Sequence, residues 1–195
     1  FMYPFLFVGF ILLHKRHFSL ATVFTALAFA IKQSAWPFFP LFMYFIYIKT
    51  KSIKQVFKYT GLMGLVSGMF ILPFFLRDPN AFLNSTVYYL TGATLHSYPI
   101  SGYGFSMVLR NIGIIWDTSD YYPFIIWQII FLLPALFLLF KLIKKYPTTK
   151  TLISSYALLL FVFWYFSRYF NDSHIGFISS IIITAYFWPE KDVST

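Results

Sequence analysis

The sequence predicts an all-α fold: a polytopic bundle of about seven transmembrane segments with one long loop on the outer face. Three observations carry this. The 195 residues are 59% hydrophobic, 24% aromatic and only 11% charged, with a mean hydropathy of +0.71, and a water-soluble domain of this size has no interior large enough for so much apolar surface. The apolar runs are separated by breaks alternately rich and poor in Lys and Arg, the pattern of the positive-inside rule. The period-two alternation over about ten residues that a membrane β-strand requires is absent.

The segments follow in order. Phe1–Leu13 ends at the basic turn His14-Lys15-Arg16-His17. Phe18–Ile31 leads to the polar break Lys32-Gln33-Ser34, and Trp36–Ile48 returns to the basic stretch Lys49–Lys58. Phe18–Ile31 spans only about 21 Å at 1.5 Å per residue, against a hydrocarbon core of about 30 Å. Either the bilayer thins there, or Lys32 and Gln33 lie below the outer surface in a broken or re-entrant helix pair lining a cavity. Pro37 and Pro40 suit the first turn of the next helix. Tyr59–Leu76 crosses outward, and its Gly61, Gly64 and Gly68 are read as an intramolecular helix-packing face.

The stretch 77–121 remains outside and is too long to lack structure of its own. Phe82–Leu90 and Phe105–Ile115 read as short helices, and Pro99–Gly104 as a turn. Its tyrosines, Tyr103 among them, form an interface belt. Tyr122–Phe140 then crosses inward to the basic stretch Lys141–Lys150. Thr151–Ser167 goes out, Arg168–His174 forms a short outer loop, and Ile175–Pro189 returns to a cytoplasmic tail. The chain reads as one transmembrane domain. Phe1 is not an initiator Met and opens inside an apolar run, so the chain reads as the C-terminal part of a longer multi-pass protein of a prokaryotic plasma membrane, or as a processed product.

No Cys is present, which excludes disulfides, thiolate metal sites and Cys nucleophiles. The net charge of +9 lies mostly in the inner loops, where it sets topology and meets anionic lipid rather than nucleic acid. No nucleotide-binding glycine motif and no metal-ligand spacing occurs. Asp117 and Asp120, in a D-x-x-D spacing, offer a weak divalent-cation motif that turn chemistry explains equally well.

Eleven of the fifteen basic residues fall in the inner loops. The other four, Lys32, Arg77, Arg110 and Arg168, stand singly on the outer side, each near Asp, Asn or Gln. A cation retained near an apolar span costs roughly 2.5–3.5 kcal/mol at mid-span, which points to an anionic ligand, although snorkelling also accounts for Lys32 and Arg77. In Arg168-Tyr169-Phe170-Asn171-Asp172-Ser173-His174, Arg168 and Asp172 would pair at i,i+4 if a helix continued through them. Otherwise Arg168 would bind a phosphate while Asp172 or His174 orients or deprotonates a hydroxyl. Asp78 fits a cap on the helix after Arg77.

Leu27–Pro40, with Lys32-Gln33 at its centre, resembles a stretch of the GT-C integral-membrane glycosyltransferases, in the branch grouping family 87 with GPI mannosyltransferase-like proteins. Leu72–Leu83, the turn Tyr98–Gly104 and the late loop Arg168–Gly176 resemble further stretches of that family in the same order. The resemblance implies transfer of a hexose, with mannose the expected sugar, from a polyprenyl-phosphate donor on the outer face, without nucleotide or cofactor. It implies that Lys32, Gln33, Arg168, Arg77 and Arg110 hold the donor phosphate. Asp78 and Tyr103 are outer-loop candidates, and Asp172 and His174 are candidates near the acceptor. The family's general base is an Asp in an earlier outer loop, which this chain is expected to lack. Two other classes fit the same residues: a transporter or lipid-carrier flippase, and a non-catalytic subunit packing through the glycine face.

Overall fold

The structure is a computed structural model and describes residues 2–94 and 96–192. It is all-α apart from one two-residue pairing. Each of the seven apolar segments carries a helix: α1 (Met2–His14), α2 (Phe18–Ile31), α3 (Phe38–Thr50), α4 (Ile53–Arg77), α8 (Phe124–Lys145), α9 (Thr149–Tyr165) and α10 (Asp172–Phe187). Three short helices, α5 (Pro79–Leu83), α6 (Tyr89–Thr91) and α7 (Phe105–Asn111), lie in the long loop, and a π-helical turn, Asn84–Tyr88, joins α5 to α6.

Helices α4 and α8 are long and apolar enough to cross a membrane, while α1, α2 and α9 are apolar but shorter. At 1.5 Å per residue, α4 and α8 reach about 37 Å and 33 Å. Only 17% and 11% of their most apolar windows are buried. A core helix of a water-soluble protein would be mostly enclosed, so these two point to association with a membrane.

Helix α4 begins six residues before the predicted run. The Ser52 side chain accepts from the Gln55 N–H at 3.4 Å, an N-cap that draws the basic stretch into the helix. Pairing follows the chain: α1 packs on α2, α2 on α4, and α3 on α4, α8 and α9, while α9 also packs on α8 and α10. Leu6, Phe10, Phe38, Phe42, Ile153 and Tyr156 form the centre of the core. The glycine face is corrected. Gly61 and Gly64 are exposed, nothing lies within 4 Å of a β-carbon placed on either, and Gly68 meets only Leu72 of its own helix. The packed face of α4 carries Tyr59, Met63 and Ser67 instead.

The basic ends of the helices meet around one carboxylate. Asp192 accepts from Lys49 Nζ at 2.6 Å and from the Thr149 N–H at the start of α9 at 2.9 Å, and His14 Nδ1 lies 3.4 Å away. Burial acts to raise its pKa, but the hydrogen bonds from Lys49 and Thr149 outweigh burial and hold it below the usual carboxylate value. One residue thus joins the ends of α1 and α3, the start of α9 and the tail.

At the other end the long loop is tied down by pairing. Strand β1 (Ser101–Gly102) runs parallel to β2 (Tyr169–Phe170). Gly102 has φ +93°, and a β-carbon there would overlap the Phe170 carbonyl, so only glycine permits this approach.

Candidate functional site

Helix α2 stops because Lys32 turns extended (φ −151°, ψ 134°), its N–H still donating to the Ala28 carbonyl. A 3-10 turn, Gln33–Ala35, and Trp36-Pro37 reverse the chain into α3. Helices α2 and α3 are thus separated by a short irregular turn that begins at Lys32. Its underside is held by Tyr156 of α9, and Gln33 Nε2 donates to the Thr86 carbonyl of the π-helical turn. The break is therefore anchored to a neighbouring helix and to the long loop.

These elements enclose a cavity of about 1370 Å³. Lys32, Gln33, Ser167, Arg168, Tyr169 and His174 line its loop end. Phe70 and Phe74 of α4, Gln128, Leu132 and Leu136 of α8 and Leu159 of α9 line its apolar depth. From Gln128 to Leu136 the wall runs about 12 Å along α8. The cavity lies between α4 and α8, both of which also expose apolar faces outward. No Asp or Glu lines it among the described residues.

Lys32 is exposed and lacks a hydrogen-bond or ion-pair partner among the described residues. Among the described residues it is the one lysine on the wall.

Arg168 is different. Helix α9 ends at Tyr165 and the chain is extended at 169–170, so the i,i+4 pair with Asp172 does not form. Arg168 is 2% exposed. Its Nε donates to the Tyr98 carbonyl at 2.5 Å, Nη1 to Asp120 at 2.6 Å and Nη2 to Thr118 at 3.0 Å. Burial lowers its pKa and the nearby Asp120 carboxylate opposes that shift. Gly92, at φ +92°, stands against the guanidinium, where a β-carbon would overlap Nη1. The cation thus fastens two stretches of the long loop to the α9–α10 turn.

His174 precedes the apolar run of α10. Its Nδ1 accepts from the Asn171 N–H at 3.2 Å, completing a capping box. That bond places the ring proton of the neutral form on Nε2. Burial, with the Lys32 charge adding to it, pushes its pKa down to about 4, so near neutral pH His174 is a hydrogen-bond donor rather than a charged group. Trp164 meets the ring edge-on at 4.4 Å. Burial, reinforced by Tyr98 and Tyr89, raises the Tyr169 pKa and keeps it a phenol.

The structure thus brings Lys32, Gln33, Arg168 and His174 to one cavity. It leaves Arg77, Arg110, Asp78, Tyr103 and Asp172 exposed and off the wall. Asp78 caps α5, accepting from the Ala81 N–H at 2.9 Å. Asp117 accepts from the Ser119 hydroxyl at 2.7 Å and its N–H at 2.8 Å. These bonds hold its carboxyl below the usual value, with Arg110 contributing less, and Asp120 Oδ2 accepts from the Asp117 N–H. The two aspartates build a turn. The described residues contain no cluster of His, Cys, Asp and Glu able to hold a metal ion.

Two wall groups escaped the sequence reading. Gln128, buried in α8, donates from Nε2 to the Phe163 carbonyl of α9 at 3.0 Å. Its signal was present: it is the single polar side chain in Phe124–Phe140. Ser167 donates to the carbonyls of Trp164 and Tyr169, and nothing in its sequence context marks it.

Comparison with known proteins finds no matching family model, curated protein or solved structure.

Proposed function

We propose that this chain forms the lipid-carrier site of a GT-C-like membrane glycosyltransferase, which takes a hexose, mannose by the resemblance, from a polyprenyl-phosphate donor on the outer face. One observation supports this above the others: a large cavity with an apolar depth and, at its loop end, a lysine that has no partner among the described residues. A polyprenyl phosphate has that polarity. Its chain would lie along Leu132 and Leu136, and its phosphate would meet Lys32, with the Nε2–H of His174 and the Tyr169 hydroxyl as further donors. The lipid phosphate is the leaving group of such a transfer, so a fixed cation beside it stabilises charge that grows in the transition state. By the resemblance the general base is an outer-loop Asp, and no Asp or Glu among the described residues lines the cavity.

A second reading, a transporter of the lipid carrier, rests on the position of the cavity between two outward-facing apolar helices. Transfer of labelled sugar from a polyprenyl-phosphate donor, by membranes carrying the full-length protein, separates the two. The enzyme reading expects transfer that collapses in Lys32→Ala and persists in Lys144→Ala at the basic end. Carrier-lipid binding without transfer moves the assignment to the transporter. Transfer unchanged in Lys32→Ala removes the phosphate site.

A further inference from the structure

The turn from α7 toward α8 carries three apolar side chains that the protein leaves uncovered: Ile112 is 64% exposed, Ile114 53% and Trp116 86%. The turn is built rather than loose. The Ile114 N–H donates to the Leu109 carbonyl at 3.0 Å, Gly113 supplies a φ of +78°, and Ile115 is buried against Leu109, Ile100 and Phe124. Its exposed neighbours therefore lie beside the first turn of α8.

Two observations say what covers them. Phe105, which opens α7, packs on Trp127 at 5.0 Å and on Phe166 at 5.3 Å. Trp127 lies about 4.5 Å along α8 from its start, so α7 rests against the side of that helix. Helix α8, against whose start Ile115 packs, also carries an outward apolar face, where Ile125, Ile126, Ile129 and Ile130 are each at least half exposed. Arg110 is exposed on α7, Asp117 follows directly after Trp116, and Asp120 closes the same turn.

We infer that Ile112, Ile114 and Trp116 form a wedge seated in the lipid layer around the loop end of α8, with Trp116 at the acyl–headgroup border and Arg110 against lipid phosphates. Tryptophan favours that border because its ring is apolar and its N–H polar. The wedge would fix the height of the long loop, and with it the Arg168 clamp, relative to the bilayer. This inference is independent of the glycosyltransferase reading.

The chain has no cysteine, so an introduced one is unique within it. Trp116→Cys, Ile114→Cys and, as a control on the polar side, Ser119→Cys would carry a nitroxide in phosphatidylcholine–phosphatidylglycerol vesicles. The expected result is that labels at 116 and 114 relax more with oxygen than with a water-soluble nickel chelate, and that the order reverses at 119. Ile114→Cys preserves the test if Trp116→Cys misfolds. Preference for the nickel chelate at 114 and 116 overturns the wedge. Immobile labels that neither reagent reaches also overturn it, since a protein partner would then cover the tip.

Discussion

The phenol of Tyr156, inside α9, donates to the carbonyl of Ser34 at 2.7 Å, joining residues 122 positions apart. Tyr156 is fully buried, and Ser34 belongs to the turn beside Lys32. The position of the lysine thus depends on a hydrogen bond made by a helix remote in sequence. Tyr156→Phe is expected to cost about 1 kcal/mol, leaving one buried carbonyl unpaired, and Tyr156→Ala about 3–5 kcal/mol, the range for emptying an aromatic site. Thermal unfolding in detergent measures both. Equal stability of wild type and Tyr156→Phe would mean that the bond contributes nothing.

Arg168 is expected to act first as a structural clamp. In Arg168→Ala the Tyr98 and Asp120 carbonyls lose their partner, while the Thr118 carbonyl keeps the Ile100 N–H, at a cost of up to about 1–3 kcal/mol for each group left unsatisfied. Arg168→Lys should rescue little, because an ammonium cannot reproduce the planar fork. Gly92→Ala should mimic the defect by displacing the guanidinium. Limited proteolysis between residues 92 and 121 reports the outcome; resistance equal to wild type in Arg168→Ala would refute the clamp.

Asp192 makes stability depend on acid. Its folded pKa is lowered, so the stabilisation is fully present above the unfolded value of about 3.9. It fades as pH falls through that value and onward through the lower folded one. Melting temperature should therefore drop more steeply below about pH 4 in wild type than in Asp192→Asn. Parallel curves for the two proteins would contradict the assignment.

His174→Asn separates two roles of one ring. An amide oxygen can still accept from the Asn171 N–H, but the N–H donor on Nε2 is gone. Melting should change little while affinity for a polyprenyl phosphate falls by about tenfold, the loss of one charge-assisted hydrogen bond. In wild type, affinity for the sugar-bearing phosphodiester, whose phosphate does not titrate in this range, should show no step near pH 6.5, since burial pushes the ring's pKa down to about 4. A step there would show that His174 binds as a cation.

The helices were legible because their signals are local: apolar runs, basic breaks, and Asp78 as a cap, whereas the Ser52 cap, inside a basic stretch, was missed and α4 starts earlier than the apolar run. The cavity residues Lys32 and His174 were legible as polar groups at the ends of apolar runs. The role of Arg168 was not, because its partners Tyr98, Thr118 and Asp120 contribute main-chain carbonyls, which any residue type supplies. The glycines of α4 misled for a related reason: small residues permit close approach, yet whether a helix arrives depends on its neighbours. Strands β1 and β2 were invisible, since a two-residue pairing has no period to detect.

That pairing sets an order of events for a chain made from its amino end. Ser101 leaves the ribosome 68 residues ahead of Tyr169, its partner, roughly 3–14 s at 5–20 residues per second. During this interval the strand and the carbonyls that Arg168 will bind have no counterpart. The long loop can close only after α9 has been delivered, so a later part of the chain locks a region translated well before it.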